Sequence, residues 1–330
     1  MKVDHSNMRQ IIIDSPKQLE DGLALAKDIK LQGIFKNAVV CGMGGSALPA
    51  DIARALGISL YVHKDYNLPP TADQNSLIIC ISYSGNTEET ISALKEAIEK
   101  KLTVVCMASG GQIEVLAKKH NLPLVKIPVG IQPRCATGYF FSALLTILAK
   151  ADLAKDFSQD IQETSKKLQD LKDSLEKEGK TLAKKLAKKI PIVYASGFMK
   201  TLSIARIWKI KFNENSKIPA FYNYFPELNH NEMVGYAGLK KLDIKNLHTI
   251  ILQDSSDHPR NVKRMALTAN LIKKSGAKVE IINIKEGSPL FKIFSSLLLG
   301  DWVSYYLALQ YKVDPTPVAM VEEFKKMMQE

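Results

Sequence analysis

Short unbroken apolar runs alternate along this chain with longer stretches in which apolar positions return every three or four residues. The first pattern predicts buried strands and the second amphipathic helices. The opening 35 or so residues read as helix, with Leu19, Leu23, Ala26 and Ile29 spaced for one face. Strands are predicted at 37–41, 59–63, 77–81, 103–107 and 123–127, and helices at 47–56, from the Gly85-Asn86 turn through Lys100, at 112–120 and at 140–148. A long charged helical stretch covers 152–189. The alternation then resumes, with strands at 192–196, 248–253 and 278–284 and helices at 200–212, 259–274, 289–311 and from near Pro317 to Met328. Strands alternating with helices at this spacing predict an α/β fold with parallel sheets. The expected division is a domain at 1–152, a helical connector at 153–189 and a second domain at 190–330. The two halves share this order without an evident sequence repeat.

Composition narrows the class. A chain of 330 residues that is 46% hydrophobic and 24% charged is globular in character. No apolar run approaches the ~18–20 residues of a membrane span, and the N-terminus lacks a signal-peptide h-region, so a cytoplasmic protein is expected. The net charge of +11 raises nucleic acid as a partner. Much of the excess, however, falls between Lys166 and Lys189, interleaved with Asp and Glu, as on a solvated helix face. Neither nucleic acid nor membrane is expected as a partner. Cys41, Cys80, Cys106 and Cys135 form no CxxC pair, and three of them lie in strand-like runs, as small buried hydrophobes would.

The candidate chemistry gathers where strands give way to helices. After the run 77–81 come Ser82, Ser84 and Thr87, three hydroxyls at a helix start whose free N–H groups and dipole favour an anion. That is a site for a phosphate monoester. An ordinary helix start would use similar residues, with Asn86 or Thr87 as cap and a downstream Glu. Gly42-x-Gly44-x-x-Ala47, with Asp65 about twenty residues on, also fits the dinucleotide fingerprint and admits NAD. Against NAD stands the second hydroxyl-rich loop, which a dinucleotide fold does not require. Gly44 and Gly45 would equally let the backbone approach a sugar ring, with Ser46 as a hydrogen-bonding tip.

Taken together, the loops have a family likeness. Gly42-Met43-Gly44-Gly45-Ser46 and Ser82-Tyr83-Ser84-Gly85-Asn86-Thr87 resemble the paired loops of sugar isomerase (SIS) domains, which bind phosphosugars. Pro133-Arg134 before an apolar helix, Asn213-Glu214-Asn215 followed by Glu227-Leu228-Asn229-His230-Asn231-Glu232, and Val313-Asp314-Pro315-Thr316-Pro317 leading to Lys325 narrow the resemblance. In that order they are similar to the bifunctional phosphoglucose/phosphomannose isomerase family over nearly the whole chain.

The resemblance implies two doubly wound SIS domains that isomerise hexose 6-phosphates by ring opening and proton transfer through a cis-enediolate, without metal or cofactor. Glu214 matches the base that moves the proton between C1 and C2. His230 matches the ring-opening histidine, and imidazole titrates in the useful range. Lys325 matches a lysine also assigned to ring opening, with adjacent Lys326 leaving the register open. Arg134 matches the arginine that stabilises enediolate charge, a task suited to a fixed guanidinium. Ser82, Ser84 and Thr87 would hold the 6-phosphate, Gly44, Gly45 and Ser46 would line the sugar, and Thr316 is a further candidate for tolerance of both C2 epimers. The family's habit also implies a homodimer, with the active site between SIS domains and the histidine donated by the partner subunit. The remaining histidines, His5, His63, His120, His248 and His258, have no paired ligand spacing. His230 with Glu232 could imitate a metal pair, but the catalytic reading explains more. The rival to an enzyme is a phosphosugar-sensing SIS module, which would keep the three hydroxyls but have no need of Glu214, His230 and Lys325 together.

Overall fold

The computed structural model describes residues 3–196, 199–237 and 244–328. The chain divides into two compact units. The first comprises Asp14–Asp170 with Gly287–Phe291, and the second Met1–Ile13, Leu171–Glu286 and Lys292–Glu330. Helix α1 (Met8–Asp14) opens the chain and counts almost wholly with the second unit.

The first unit runs α2 (Lys17–Ala26), β1 (Asn37–Cys41), α3 (Gly44–Ala55), β2 (Tyr61–His63), β3 (Ser76–Ser82), α4 (Glu88–Glu99), β4 (Thr103–Ala108), α5 (Gly111–Lys119), β5 (Leu124–Lys126) and α6 (Thr137–Lys150). Its five strands form one parallel sheet in the order β2-β1-β3-β4-β5. Every residue of β3 is buried, because helices cover both faces of a parallel sheet; this explains the unbroken apolar run Leu77–Ile81. The register aligns Cys41 with Cys80 and Cys80 with Cys106, and all three are buried free thiols. Burial pushes the Cys106 thiol up to about 12. The winding reverses between β1 and β3, and in such sheets ligands bind outside the carboxyl ends of the strands at that reversal. The loops that follow β1 and β3 are the glycine loop and the hydroxyl loop.

The helix α7 (Ser158–Leu186) contributes residues to both units. The second unit continues with β6 (Ile190–Ser196), α8 (Met199–Glu214), β7 (Phe221–Phe225), β8 (Leu247–Gln253), α9 (Pro259–Lys274), β9 (Lys278–Asn283), α10 (Pro289–Gln310) and α11 (Ala319–Met327). The second sheet is also parallel, in the order β7-β6-β8-β9, which repeats the winding of the first.

Three differences from the sequence pattern have physical reasons. The expected N-terminal helix is two helices, broken at Pro16, which has no N–H to continue the ladder. Strand β7 is not predicted by the pattern, since it is an edge strand whose aromatic run leaves Phe221 and Tyr222 exposed. Helix α8 runs on to Glu214, two residues beyond the expected end at Phe212, so Glu214 stands on a helical turn.

The loop after β8 is held by a buried ion pair. Lys292 Nζ lies 2.6 Å from Asp254 Oδ1, and that carboxylate oxygen also accepts from Ser256 N and Oγ at 2.9 and 2.8 Å. Burial raises the Asp254 carboxyl, but the Lys292 and Ser256 hydrogen bonds outweigh it and hold its pKa below the ordinary 3.8. The pair therefore stabilises fully above that value and fades as pH falls through the depressed one. Lys292→Met is expected to cost about 3 kcal/mol at neutral pH, because it leaves a buried carboxylate without its cation. Denaturant unfolding at descending pH should show the loss shrinking as the wild-type carboxyl becomes neutral.

Candidate active site

At the carboxyl end of β3 the backbone turns sharply at Gly85, whose φ is +71°. A Cβ there would lie 1.8 Å from the Gly110 carbonyl oxygen, so the turn packs directly on the loop after β4. Ser82 is fully buried; its Oγ lies 2.8 Å from Thr87 Oγ1 and accepts the Gly85 N–H at 3.1 Å. Thr87 is the N-cap of α4 by backbone, yet its side chain makes no capping bond. The hydroxyl that would quench the helix start is turned to Ser82 instead. The N–H groups of the first turn thus keep no side-chain cap, which is what an anion site at a helix start requires. Ser84 is exposed at the rim and accepts the Asn86 N–H at 3.2 Å. Glu88 and Glu89 occupy the same first turn, so an anion there would be attracted by aimed N–H donors rather than by net charge.

The glycine loop meets this cradle through Ser46. Ser46 is buried, and its Oγ accepts the Tyr83 N–H at 3.0 Å, leaving its own hydrogen to donate. Gly44 is exposed with open space on its side-chain face, whereas Gly45 faces inward. A Cβ on Gly45 would lie 2.6 Å from the Arg134 backbone nitrogen, so only glycine lets the short 3-10 turn Pro133–Cys135 seat against α3. Arg134 is 2% exposed, with Nη1 3.4 Å from Gln132 Oε1. Asp65, the acid of the dinucleotide pattern, accepts the N–H of its neighbour Tyr66 at 2.8 Å.

Tyr83 is the residue that sequence reasoning missed. Its N–H reaches Ser46, its carbonyl accepts from Ser109 N at 2.9 Å, and its hydroxyl donates to Pro128 O at 2.9 Å while accepting Ile131 N–H at 3.1 Å. One side chain and its peptide groups therefore join four loops. The only signal was a hydroxyl-bearing aromatic between two serines.

The remaining candidates lie in the second unit. Glu214, half-buried, is the last residue of α8, flanked by two asparagines that fix the helix end. Asn213 Nδ2 donates to Ile218 O at 2.9 Å, and Asn215, 1% exposed, donates from Nδ2 to Ser304 Oγ at 2.9 Å. Lys217 Nζ bonds the Glu214 carbonyl. His230 ends a 3-10 turn, Glu227–His230, and is exposed. Lys325 stands on α11, which buries none of its residues, and donates to Glu322 Oε1 at 2.8 Å. Thr316 is buried in the loop before α11, its N–H on Asp314 Oδ1 at 2.9 Å. The structure thus brings Ser82, Thr87 and Ser46 together through direct bonds and Tyr83, and seats Arg134 on Gly45. Glu214, His230 and Lys325 stand on three separate elements.

Comparison with known proteins adds an independent line. Residues 175–328 match the family described as bacterial phospho-glucose isomerase C-terminal SIS domain. A bifunctional phosphoglucose/phosphomannose isomerase of Caldicellulosiruptor bescii is 38% identical over 98% of this chain and 99% of that protein. A D-glucosamine-6-phosphate 4-epimerase of Sulfolobus acidocaldarius is 31% identical over 92% of each. Among solved structures, a Thermus thermophilus protein described as hypothetical superposes with a TM-score of 0.75 at 15% identity, covering 96% of this chain and 89% of that one; it speaks to the fold alone.

Proposed function

The chain belongs to the bifunctional phosphoglucose/phosphomannose isomerase family, and we infer that it interconverts glucose 6-phosphate, mannose 6-phosphate and fructose 6-phosphate. The observation that carries this is 38% identity to such an enzyme along essentially the full length of both chains. The uncapped start of α4 beside Ser82, Ser84 and Thr87 supports it, as the seat of the 6-phosphate.

In this reading the first unit holds phosphate and sugar, and the second carries the base and the ring-opening groups. His230 and Lys325 open the ring by exchanging protons with the ring oxygen and the C1 hydroxyl. Glu214 then takes the proton from C2 of the aldose and returns it to C1, while Arg134 balances the charge that develops on the enediolate oxygens. Ser46 and Gly44 line the sugar. The enzyme works as a cytoplasmic homodimer, with His230 supplied by the partner subunit, in glycolysis or gluconeogenesis.

Fructose 6-phosphate supplied to purified protein in EDTA should yield glucose 6-phosphate and mannose 6-phosphate at comparable rates. A single aldose would narrow the specificity, and neither would overturn the assignment. The Sulfolobus relative favours one second reading, epimerisation at C4 of an amino-sugar phosphate. Glucosamine 6-phosphate assayed in parallel separates the two, since conversion to its C4 epimer without aldose formation from fructose 6-phosphate selects the epimerase.

A further inference from the structure

The segment bearing His230 is tied down on every side except at His230 itself. Leu228 is fully buried in the core cluster of the second unit. Asn229 Nδ2 donates to Thr268 Oγ1 of α9 at 2.8 Å. Asn231 Nδ2 donates to Glu227 Oε1 at 2.7 Å, and its Oδ1 accepts the Glu232 N–H at 2.6 Å. Both oxygens of Glu232 are occupied, Oε1 by the Tyr194 hydroxyl at 2.5 Å and Oε2 by Asn223 Nδ2 of β7.

The Tyr194 bond is the end of a longer chain. Tyr194 and Thr249 are fully buried and Tyr236 is 8% exposed, all on or against β6 and β8. Tyr194 Oη lies 3.0 Å from Tyr236 Oη, which lies 3.1 Å from Thr249 Oγ1. A carboxylate only accepts, so the donors run one way, from Thr249 to Tyr236 to Tyr194 to Glu232. Burial pushes both tyrosines above their ordinary value, so they remain donors across the working pH range. A directed chain of buried hydroxyls through an otherwise apolar cluster holds its terminal acceptor rigidly, since each broken link would strand a buried polar group.

We propose that Glu232 is a positioning residue, held by Tyr194 and Asn223, that fixes the backbone two residues away so that the His230 imidazole meets the sugar ring. This rests on the reading of His230 as a ring-opening group. Glu232 touches no reacting atom; it acts by removing the freedom of an exposed imidazole.

Ring opening can be read apart from isomerisation. Opening breaks C1–O5 of glucose 6-phosphate, takes the proton from the C1 hydroxyl and delivers one to O5; reclosure on the other face of C1 gives the other anomer. The α and β forms thus exchange even when the C2 proton never moves. The experiment measures catalysed anomer exchange by NMR in a Glu214→Gln background, with added His230→Ala, Tyr194→Phe, Glu232→Ala or Glu232→Gln. Tyr305→Phe is the control, losing a comparable buried hydroxyl bond to Asp4 in the same unit. Tyr194→Phe and Glu232→Ala should each slow exchange about tenfold or more, a fraction of the ~10²–10⁴ that acid–base catalysis supplies. Glu232→Gln, which can still accept from Tyr194, should recover most of it. Tyr305→Phe should lower the melting temperature without slowing exchange. Wild-type exchange rates in Tyr194→Phe and Glu232→Ala, with His230→Ala slow, would overturn the positioning role alone. Exchange unaffected by His230→Ala would overturn the assignment of His230, and the positioning role with it.

Discussion

Glu214→Gln is expected to lower turnover of fructose 6-phosphate by about 10²–10⁴-fold while leaving sugar-phosphate affinity within about threefold, because only the proton-transfer step would lose its proposed base. The amide keeps the shape and polarity of the carboxylate but cannot accept a proton from carbon. The helix end that presents it is fixed by Asn213, Asn215 and Lys217 through their own bonds, so the substitution leaves that scaffold in place. Steady-state kinetics and titration with hexitol 6-phosphate, an open-chain competitor, check the two halves of the expectation separately. Turnover that survives would remove Glu214 from the mechanism. Loss of affinity in step with turnover would make it a binding residue instead. Retained binding without turnover would also exclude the sensing module, for which this carboxylate has no use.

Gly85→Ala should produce the largest structural loss of any single methyl group in the first unit. Two costs coincide there: a φ of +71°, which disfavours an L side chain, and a Cβ only 1.8 Å from the backbone oxygen of Gly110. That neighbour is main chain following β4 and cannot rotate aside. The turn must move, and with it the Ser82–Thr87 pair and the start of α4. We expect stability to fall by about 4 kcal/mol or more, the range reserved for a named structural fault. Where the variant still folds, KM for hexose 6-phosphate should rise more than kcat falls, since phosphate seating fails before chemistry does. Unfolding in denaturant and the kinetic split measure both. A change within about 1 kcal/mol, the ordinary scale for a point substitution, would contradict the tight approach of the two loops.

Much of this was legible because buried parallel strands write themselves as short apolar runs. Leu77–Ile81 could be read as a strand, and the hydroxyls after it as a loop at a helix start, from the chain alone. Strand β7 could not, because its aromatic residues at a sheet edge do not alternate by polarity. The burial of Ser46 is not legible either. A serine after two glycines reads as a hydrogen-bonding tip, and the first turn of α3 buries it with its Oγ on the Tyr83 N–H. Pairings across long sequence separations, such as Gly85 with Gly110 or Tyr194 with Glu232, leave no periodic trace. The identities of Glu214 and His230 as candidates came from family resemblance, since a glutamate between two asparagines has no pattern of its own.

The bonds of Tyr83 make the glycine loop, the hydroxyl loop and the segments at Ser109 and 128–131 a single folded object. Their ordering is therefore settled when the domain folds, and little of it falls to the ligand. In the proposed reading a phosphate arriving at α4 would meet donors already aimed, so the free energy of its capture would not be consumed in shaping the pocket. In the proposed mechanism it would remain available to hold the reacting end of a flexible six-carbon chain still. On that reading, a phosphate group that takes no part in the reaction would become the handle by which the reaction is steered.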